Sequence, residues 1–271
     1  MNISCLPVSL FAKISSGAMS LEDWIREAAG IGLDGFDLSI VMIKNHTPAY
    51  LAQLKQAFSI LPAVMATTYP DFTHPDPAQR RRELDYCLAD IALCSQMGIR
   101  YLRVLAGQAH PSVSQSDGIS TALENLWQAA AAARSNGVTL LYENHSKPSA
   151  WQYVDFSYPI DIFFAILDGL KGSGICLNFD IGNVSSLGLD PLEILPRVYD
   201  RIETIHVSDM KQVGAFSPVA IGTGAVPLHG VFSWLKRSGF DGWLCLEEAS
   251  NQGLAGIRQA VDFVRAAWEK A

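Results

Sequence analysis

Four strand-like segments of this chain each end in a side chain that can bind a metal ion or transfer a proton. The apolar runs VTLLYE, GICLNFD, IETIH and GWLCLE end in Glu143, Asp180, His206 and Glu247, respectively. A carboxylate or an imidazole is costly to bury without a partner, so four such endings need a common explanation. If the strands are parallel neighbours in a barrel, their carboxyl ends open on one face and bring the four side chains together.

Three carboxylates and one imidazole repel each other unless a cation lies between them. A divalent ion meets that need. An oxygen-rich set with one nitrogen suits Mn²⁺ or Mg²⁺, with Co²⁺ or Zn²⁺ as alternatives. The competing interpretation is that each residue is a lone polar strand end that reaches water. That interpretation explains a single residue better than it explains four on consecutive strands.

Strands and helices alternate along the whole chain. The strands are nearly continuous apolar runs, as expected when protein covers both faces. Eight such units in 271 residues predict a single-domain (β/α)₈ barrel over residues 1–271. A doubly wound open sheet is the alternative, but VSLFAKISSG, after the first strand, is not its glycine-rich phosphate loop. The predicted strands are residues 3–8, 35–40, 63–68, 101–105, 138–143, 174–179, 202–207 and 242–247.

Helix start and stop signals lie between the strands. Ser20 is a good N-cap followed by two acidic residues, and Asn136-Gly137 is a helix stop. Near the end of the chain, apolar residues recur in steps of three and four and predict a helix that faces the sheet. This last stripe is Leu254, Ile257, Val261, Val264 and Trp268. The other predicted helices are residues 20–31, 76–97, 117–135, 159–170, 190–200 and 228–238.

The composition argues against nucleic acid and membrane partners. The formal net charge is −7 at pH 7, and an acidic chain without a basic run is poorly suited to bind polyanions. No apolar run approaches the roughly 20 residues that span a bilayer, and MNISCLPVSLFAK lacks the basic start of a signal peptide. Five cysteines without a CxxC pair indicate reduced thiols, and Cys5, Cys176 and Cys245 lie in predicted strands. We therefore expect a cytoplasmic protein.

The motifs YENH, NFDIGN, IHVSD and IGTGAVPLHGVFSWLKRSGFDGWLCLEE give the chain a specific resemblance. It resembles the xylose isomerase-like TIM barrels (the AP endonuclease family 2-like superfamily), which include sugar isomerases and epimerases. The resemblance covers essentially the whole chain and is strongest over residues 138–248. It implies that Glu143, Asp180, His206 and Glu247 are the metal ligands. As in the ketose 3-epimerases, it also implies that the two glutamates are the catalytic acid and base.

Three positions depart from the pattern of that family. Asn183 stands where the family often has a histidine three residues after the aspartate. Gln212 stands where the 3-epimerases carry an arginine, and Ser149 where they carry a second glutamate. The fold and the metal site tolerate these differences, but the specific activity does not follow from the resemblance.

The four residues suit the removal of a proton next to a carbonyl. The resulting enediolate is high in energy, and a metal that chelates the carbonyl and the adjacent hydroxyl stabilises its charge. One glutamate can take the proton on one face and a second can return a proton on the other, which inverts the centre. Glu143 and Glu247 are separated by two predicted strands and could flank a substrate in this way.

Four further residues are candidates for substrate binding. His145 follows Glu143 by two positions. If it does not bind the substrate, it supports the metal ligands or lies in a solvated loop. Asp209 follows His206 by three positions, and the alternative to substrate binding is that it supports the metal ligands. For Asn183, the alternative to substrate binding is that its side chain fixes the turn after DIG. For His110, in AGQAHPSVS, the alternative is a loop histidine without a function. Lys147 could meet a substrate oxygen or phosphate, although a solvated lysine is the default.

We expect the partner to be a small sugar or keto-polyol. The leading prediction is a metal-dependent isomerase or epimerase. A dehydratase of the 3-dehydroshikimate or keto-inositol type would use the same site, and a catalytically silent metal-containing binding protein is the alternative outside enzymes. An endonuclease IV-like role is disfavoured, because that branch needs more histidines and phosphate-binding charge. The sequence leaves the oligomeric state open, a homo-oligomer included.

Overall fold

A computed structural model of the chain describes residues 1–146, 148 and 150–271. Lys147, a candidate for contact with a substrate oxygen, and Ser149, a departure from the family pattern, lie outside the described residues. Within the described ranges, no helix is both long enough and apolar enough to cross a bilayer.

Eight parallel strands form one sheet, which closes almost completely into a barrel with helices between the strands. The strand order is β1-β8-β7-β6-β5-β4-β3-β2. At the seam, the backbone N–H groups of Asp34 and Gly35 donate to the carbonyl of Ile3, and Ser4 Oγ donates to Asp37 Oδ2 at 2.6 Å. The prediction of a (β/α)₈ barrel is therefore confirmed. The strands are β1 (Asn2–Leu6), β2 (Phe36–Ser39), β3 (Ala63–Thr67), β4 (Tyr101–Val104), β5 (Thr139–Glu143), β6 (Cys176–Asp180), β7 (Ile202–Val207) and β8 (Trp243–Glu247).

The described residues form ten α-helices, and short 3₁₀ turns lie at Val8–Leu10, Ile40–Met42 and Tyr199–Arg201. The helices between β1 and β4 are α1 (Phe11–Ser16), α2 (Leu21–Ile31), α3 (Pro48–Ala57) and α4 (Pro77–Met97). Those between β4 and β7 are α5 (Gln115–Ser135), α6 (Ile160–Gly169), α7 (Ile181–Ser186) and α8 (Pro191–Val198). The last two are α9 (Leu228–Arg237) and α10 (Leu254–Lys270).

The helix starts follow the capping chemistry of the sequence. Ser20 and Asp23 form a reciprocal capping box at α2, and Asp76 caps α4 by accepting the backbone N–H of Ala78. The fifth helix begins two residues earlier than predicted. Its N-cap is Ser114, whose hydroxyl accepts the backbone N–H of Asp117.

The chain divides into two compact parts, and both contain fully buried apolar side chains. The first part comprises Met1–Val64 and Phe179–Ala271, and its fully buried side chains include Trp24 and Phe232. The second part is Met65–Asn178, in which the rings of Tyr142 and Phe163 stack at 5.5 Å.

The cysteines are free thiols. Cys5 and Cys245 are buried in β1 and β8, whereas Cys176, at the start of β6, is partly exposed. Burial raises the pKa of the Cys5 and Cys245 thiols well above the usual value. Both therefore behave as small apolar core residues rather than as nucleophiles.

Candidate metal centre

Glu143 is the last residue of β5, and neighbouring strands hold both of its carboxylate oxygens. The register of the parallel pair places Glu143 opposite Asn178 on β6. The amide of Asn178 donates to Oε1 at 3.0 Å, and Arg103 Nε lies 2.9 Å from Oε2. All three side chains are buried, so Glu143 is held in one orientation at the strand end.

Arg103 is a buried cation that the sequence analysis did not identify. It lies on β4 opposite Leu141, two residues before Glu143, so the pleat points it to the same face of the sheet. Its guanidinium also donates to the carbonyl of Thr68 at 3.3 Å and stacks over the ring of Tyr69, 4.7 Å from the centroid. A charged residue inside the apolar run YLRVL was the signal that could have identified it.

Asp180 ends β6 and is also the N-cap of α7. Its Oδ1 accepts the backbone N–H of Asn183 at 2.7 Å and the hydroxyl of Ser208 at 2.9 Å. Its Oδ2 lies 3.9 Å from Nδ1 of His206. One carboxylate oxygen therefore orients the side chain, and the other points towards the imidazole.

His206 on β7 pairs with Cys245 of β8, and Glu247 lies two residues further along the same strand. Nδ1 of His206 is 3.4 Å from Oε2 of Glu247. His206 is fully buried, whereas the side chain of Glu247 is 20% exposed. Glu247 is therefore the more accessible of the two to a molecule that enters from solvent.

These four residues could hold a metal ion. Glu143, Asp180, His206 and Glu247 each offer one ligand atom, and the four atoms lie within 4.8 Å of one another. Ligand atoms on one octahedral ion lie about 3 Å apart in adjacent positions and about 4 Å apart in opposite positions. The 3.4 and 3.9 Å separations around His206 fit that geometry. Three oxygens and one imidazole nitrogen also form a chemically suitable donor set.

His145 and Asn183 follow the ligands Glu143 and Asp180 by two and three residues, and both are buried. The backbone N–H of Asn183 is bound by Asp180, and its carbonyl accepts the hydroxyl of Ser186. Within the described part of the chain, the side-chain amide of Asn183 has no hydrogen-bond partner. That amide is available to a ligand, and the substrate-binding role of Asn183 stays a prediction, as does that of His145.

Asp209 organises the loop after β7. Its Oδ2 accepts the backbone N–H groups of Gly222 and Gly224, and its Oδ1 accepts those of Met210 and Val226. A Cβ at position 224 would collide with the carboxylate, which explains the glycine there. With four backbone donors on one carboxylate, Asp209 holds this loop in shape, and its role in substrate binding stays a prediction.

His110 lies in the loop after β4, and Nε2 of its ring is 2.8 Å from Oδ2 of Asp71. Asp71, which the sequence analysis did not identify, follows β3 and is 6% exposed at its side chain. His110 is therefore part of a carboxylate–imidazole pair rather than a plain loop histidine.

Asp155 is a fully buried acid that the sequence analysis also missed. Its Oδ1 accepts the backbone N–H and the hydroxyl of Ser157, both at 2.7 Å. Its Oδ2 is buried without a hydrogen-bond partner among the described residues. Loss of hydration raises the pKa of this carboxyl to about 7, although Ser157 and Arg103 act in the opposite direction.

The model of the family described as xylose isomerase-like TIM barrel matches residues 25–267. A Streptomyces coelicolor protein named as a hydroxypyruvate isomerase is 33% identical over 159 residues, and the match covers 56% of this chain and 53% of that protein. An inosose dehydratase of Lacticaseibacillus casei is 28% identical over 169 residues, with the same coverage. The matches thus span about half the length of these curated relatives.

A solved structure described as the IOLI protein with a binding zinc atom has a TM-score of 0.81 and 15% identity. The similarity covers 100% of this chain and 99% of that chain. At this identity, the similarity shows a shared fold and nothing more.

Proposed function

Because the chain belongs to the family of xylose isomerase-like TIM barrels, we propose that it is a divalent-metal-dependent isomerase or epimerase of a sugar or keto-polyol. The reaction begins with removal of a proton next to a carbonyl. The observation that carries this proposal is the group of Glu143, Asp180, His206 and Glu247, whose ligand atoms lie within 4.8 Å of one another.

In this proposal the four residues hold one ion. Their three oxygens favour Mn²⁺ or Mg²⁺, and the zinc in the IOLI protein supports Zn²⁺ as an alternative. When bound, the ion supplies a positive charge that stabilises negative charge on the carbonyl and neighbouring oxygens of the substrate. Asp180 and His206 are the two ligands without an acid–base role.

The two glutamates transfer the proton. Glu247 is partly exposed, so it can reach a substrate that enters from solvent. Glu143 is buried, and Arg103 and Asn178 fix its orientation. Arg103 stabilises the carboxylate that remains once Glu143 has given up a proton. We therefore assign the first proton removal to the Glu247 carboxylate, which becomes the acid, and the return of a proton to Glu143, which starts the step as the acid and ends it as the carboxylate.

A dehydratase is the second candidate. The match to an inosose dehydratase supports it, because dehydration of a keto-inositol also begins with proton removal next to a carbonyl. The two reactions separate at the next step. An isomerase or epimerase returns the proton, whereas a dehydratase expels a hydroxyl and forms a conjugated product that absorbs in the ultraviolet.

A substrate panel tests the proposal. Metal-free protein is supplied with Mn²⁺ and incubated with free ketoses, keto-inositols and hydroxypyruvate, and products are followed by NMR and ultraviolet absorbance. The control is the His206→Ala variant under the same conditions. We expect turnover by the wild-type protein alone. Equal product formation with and without the metal would contradict the metal-dependent mechanism.

Two further predictions concern the protein as a whole. We propose that it is located in the cytoplasm and that it forms a homo-oligomer.

A further inference from the structure

Asp71 and His110 form a pair that several neighbouring residues hold in place. Besides Nε2 of His110, Asp71 accepts the backbone N–H and the side-chain amide of Gln108, both at 2.9 Å. The hydroxyl of Thr73 is 3.2 Å from Oδ1 of Asp71. Gly107 makes this packing possible, because a Cβ there would collide with Thr73 and Asp71.

These contacts determine which nitrogen of His110 carries the proton. Both carboxylate oxygens of Asp71 already accept hydrogen bonds from Gln108, so the carboxylate acts as an acceptor towards the imidazole as well. Nε2 of His110 must therefore be the N–H that donates to Asp71. In the neutral imidazole, Nδ1 then has a free lone pair and acts as an acceptor.

The lone pair on Nδ1 is available to a ligand. Among the residues that the structure describes, none forms a hydrogen bond with Nδ1 of His110. The rings of His74 and Tyr153 contact the imidazole edge to face, with centroids 4.9 and 5.3 Å away, and fix its plane. The side chain of His110 is 12% exposed, so solvent or a substrate can reach it.

The pair is tied to the loop that follows Glu143. The side-chain carbonyl of Gln108 accepts the backbone N–H groups of Gln152 and Tyr153. Both residues lie in the connection from β5 to α6, which starts at Glu143. Asp71, His110 and this connection all follow the carboxyl ends of parallel strands, where ligands of such barrels bind.

We propose that Nδ1 of His110 accepts a hydrogen bond from a substrate hydroxyl and thereby selects a neutral, polyhydroxylated substrate. This inference rests on the proposed function, and it narrows the substrate class to keto-polyols and free sugars. A carboxylate or a phosphate ester has acceptor oxygens at its end. Such a group would place an acceptor oxygen against the lone pair on Nδ1 of His110, where no hydrogen bond can form. Its negative charge would also be repelled by the Asp71 carboxylate on the other side of the imidazole, so binding is disfavoured.

Binding of two unreactive compounds tests the inference without reference to turnover. myo-Inositol offers only hydroxyl groups, whereas D-glycerate offers a carboxylate beside its two hydroxyls. We expect the Mn²⁺-supplied wild-type protein to bind myo-inositol more tightly than D-glycerate in isothermal titration calorimetry. The His110→Gln variant keeps an amide N–H for Asp71 but has no acceptor at the position of Nδ1. We expect it to bind myo-inositol about tenfold more weakly, the usual effect of one lost hydrogen bond, with D-glycerate binding unchanged.

Two further variants serve as controls. His229→Asn alters an exposed histidine on α9 that packs against Phe263, outside the Asp71–His110 pair, and its affinity for myo-inositol should match that of the wild type. His110→Asn places an amide oxygen near the position of Nδ1 and should recover part of the affinity that His110→Gln loses. Melting temperatures of all variants report on the fold.

Two results would overturn the inference. The first is wild-type protein that binds D-glycerate as tightly as myo-inositol or binds neither compound. The second is a His110→Gln variant whose affinities for both compounds change by the same factor. Turnover of the substrate panel is a separate measurement, so failure of the proposed function would be seen independently.

Discussion

The buried carboxyl of Asp155 makes the stability of the protein depend on pH. Its pKa rises from 3.8 to about 7, chiefly through burial. Since the folded state holds this proton over a range in which the unfolded chain releases it, stability falls as pH rises from about 4 to about 7. About three pKa units at 1.36 kcal/mol each give a loss of about 4 kcal/mol.

The Asp155→Asn substitution removes this titration. The amide cannot ionise, and its oxygen can still accept the two donors of Ser157. An unsatisfied amide N–H at the position of Oδ2 costs about 1–3 kcal/mol at every pH. The variant should therefore gain about 4 kcal/mol relative to wild type between pH 4 and pH 8. For 271 residues this corresponds to about 7 °C in melting temperature.

The assay is thermal unfolding of both proteins after metal removal, in steps of half a pH unit. Metal removal matters because Glu143 and Arg103 contribute to the field at Asp155, as does the nearby hydroxyl of Tyr142. Asp168→Asn is the matched control, because that side chain is 68% exposed and pairs with Lys171 on the surface. A difference between Asp155→Asn and wild type that stays constant from pH 4 to pH 8 would refute the reasoning.

Three further predictions concern the candidate metal centre. His206→Ala and Asp180→Ala should each lose the bound metal, because each removes one of four ligands; elemental analysis that finds wild-type metal content in both would contradict the assigned ligands. Glu143→Gln and Glu247→Gln should each lower kcat by roughly 10²-fold or more with metal retained; near-normal turnover would make that residue a ligand only. Asn183→Ala should lower kcat/KM by about one to two powers of ten at unchanged metal content and melting temperature. Earlier unfolding with unchanged kcat/KM would instead assign Asn183 to the turn.

The barrel and the family were predictable from the sequence because their signals are local and repeated. Each strand is an apolar run, several helices have a cap or a stop, and the unit recurs eight times. The motifs around Glu143, Asp180, His206 and Glu247 predicted the grouping that the structure contains. The family resemblance is likewise confirmed.

The short helices were not predictable in the same way. The segment of α7, Ile181–Ser186, contains glycine, asparagine and serine residues that disfavour helix by intrinsic propensity. It forms a helix with Asp180 capping its first turn and with all six residues buried. Helix α3 begins at Pro48, but Thr47 provides no side-chain cap, so its start signal is weak.

The supporting residues of the site depend on contacts between segments distant in sequence. Asp71 and His110 are separated by 39 residues, and Asn178 and Glu143 by 35. Asp155 lies in a loop, where an acidic residue normally reaches water. Only the packed structure shows that its carboxyl is buried. Charge and burial within such a group are properties of the fold rather than of any local pattern.

The central claim is that the protein removes a proton next to a carbonyl with the help of a bound divalent ion. Deuterium exchange tests it most directly. A free ketose or a keto-inositol is incubated in D₂O with the Mn²⁺-supplied protein, with the metal-stripped protein and with Glu247→Gln, and loss of the proton signal is followed by NMR. We predict exchange with the Mn²⁺-supplied wild type, and little or none with the other two. Exchange at equal rates in all three samples, or in none of them for any substrate of the panel, would contradict the claim.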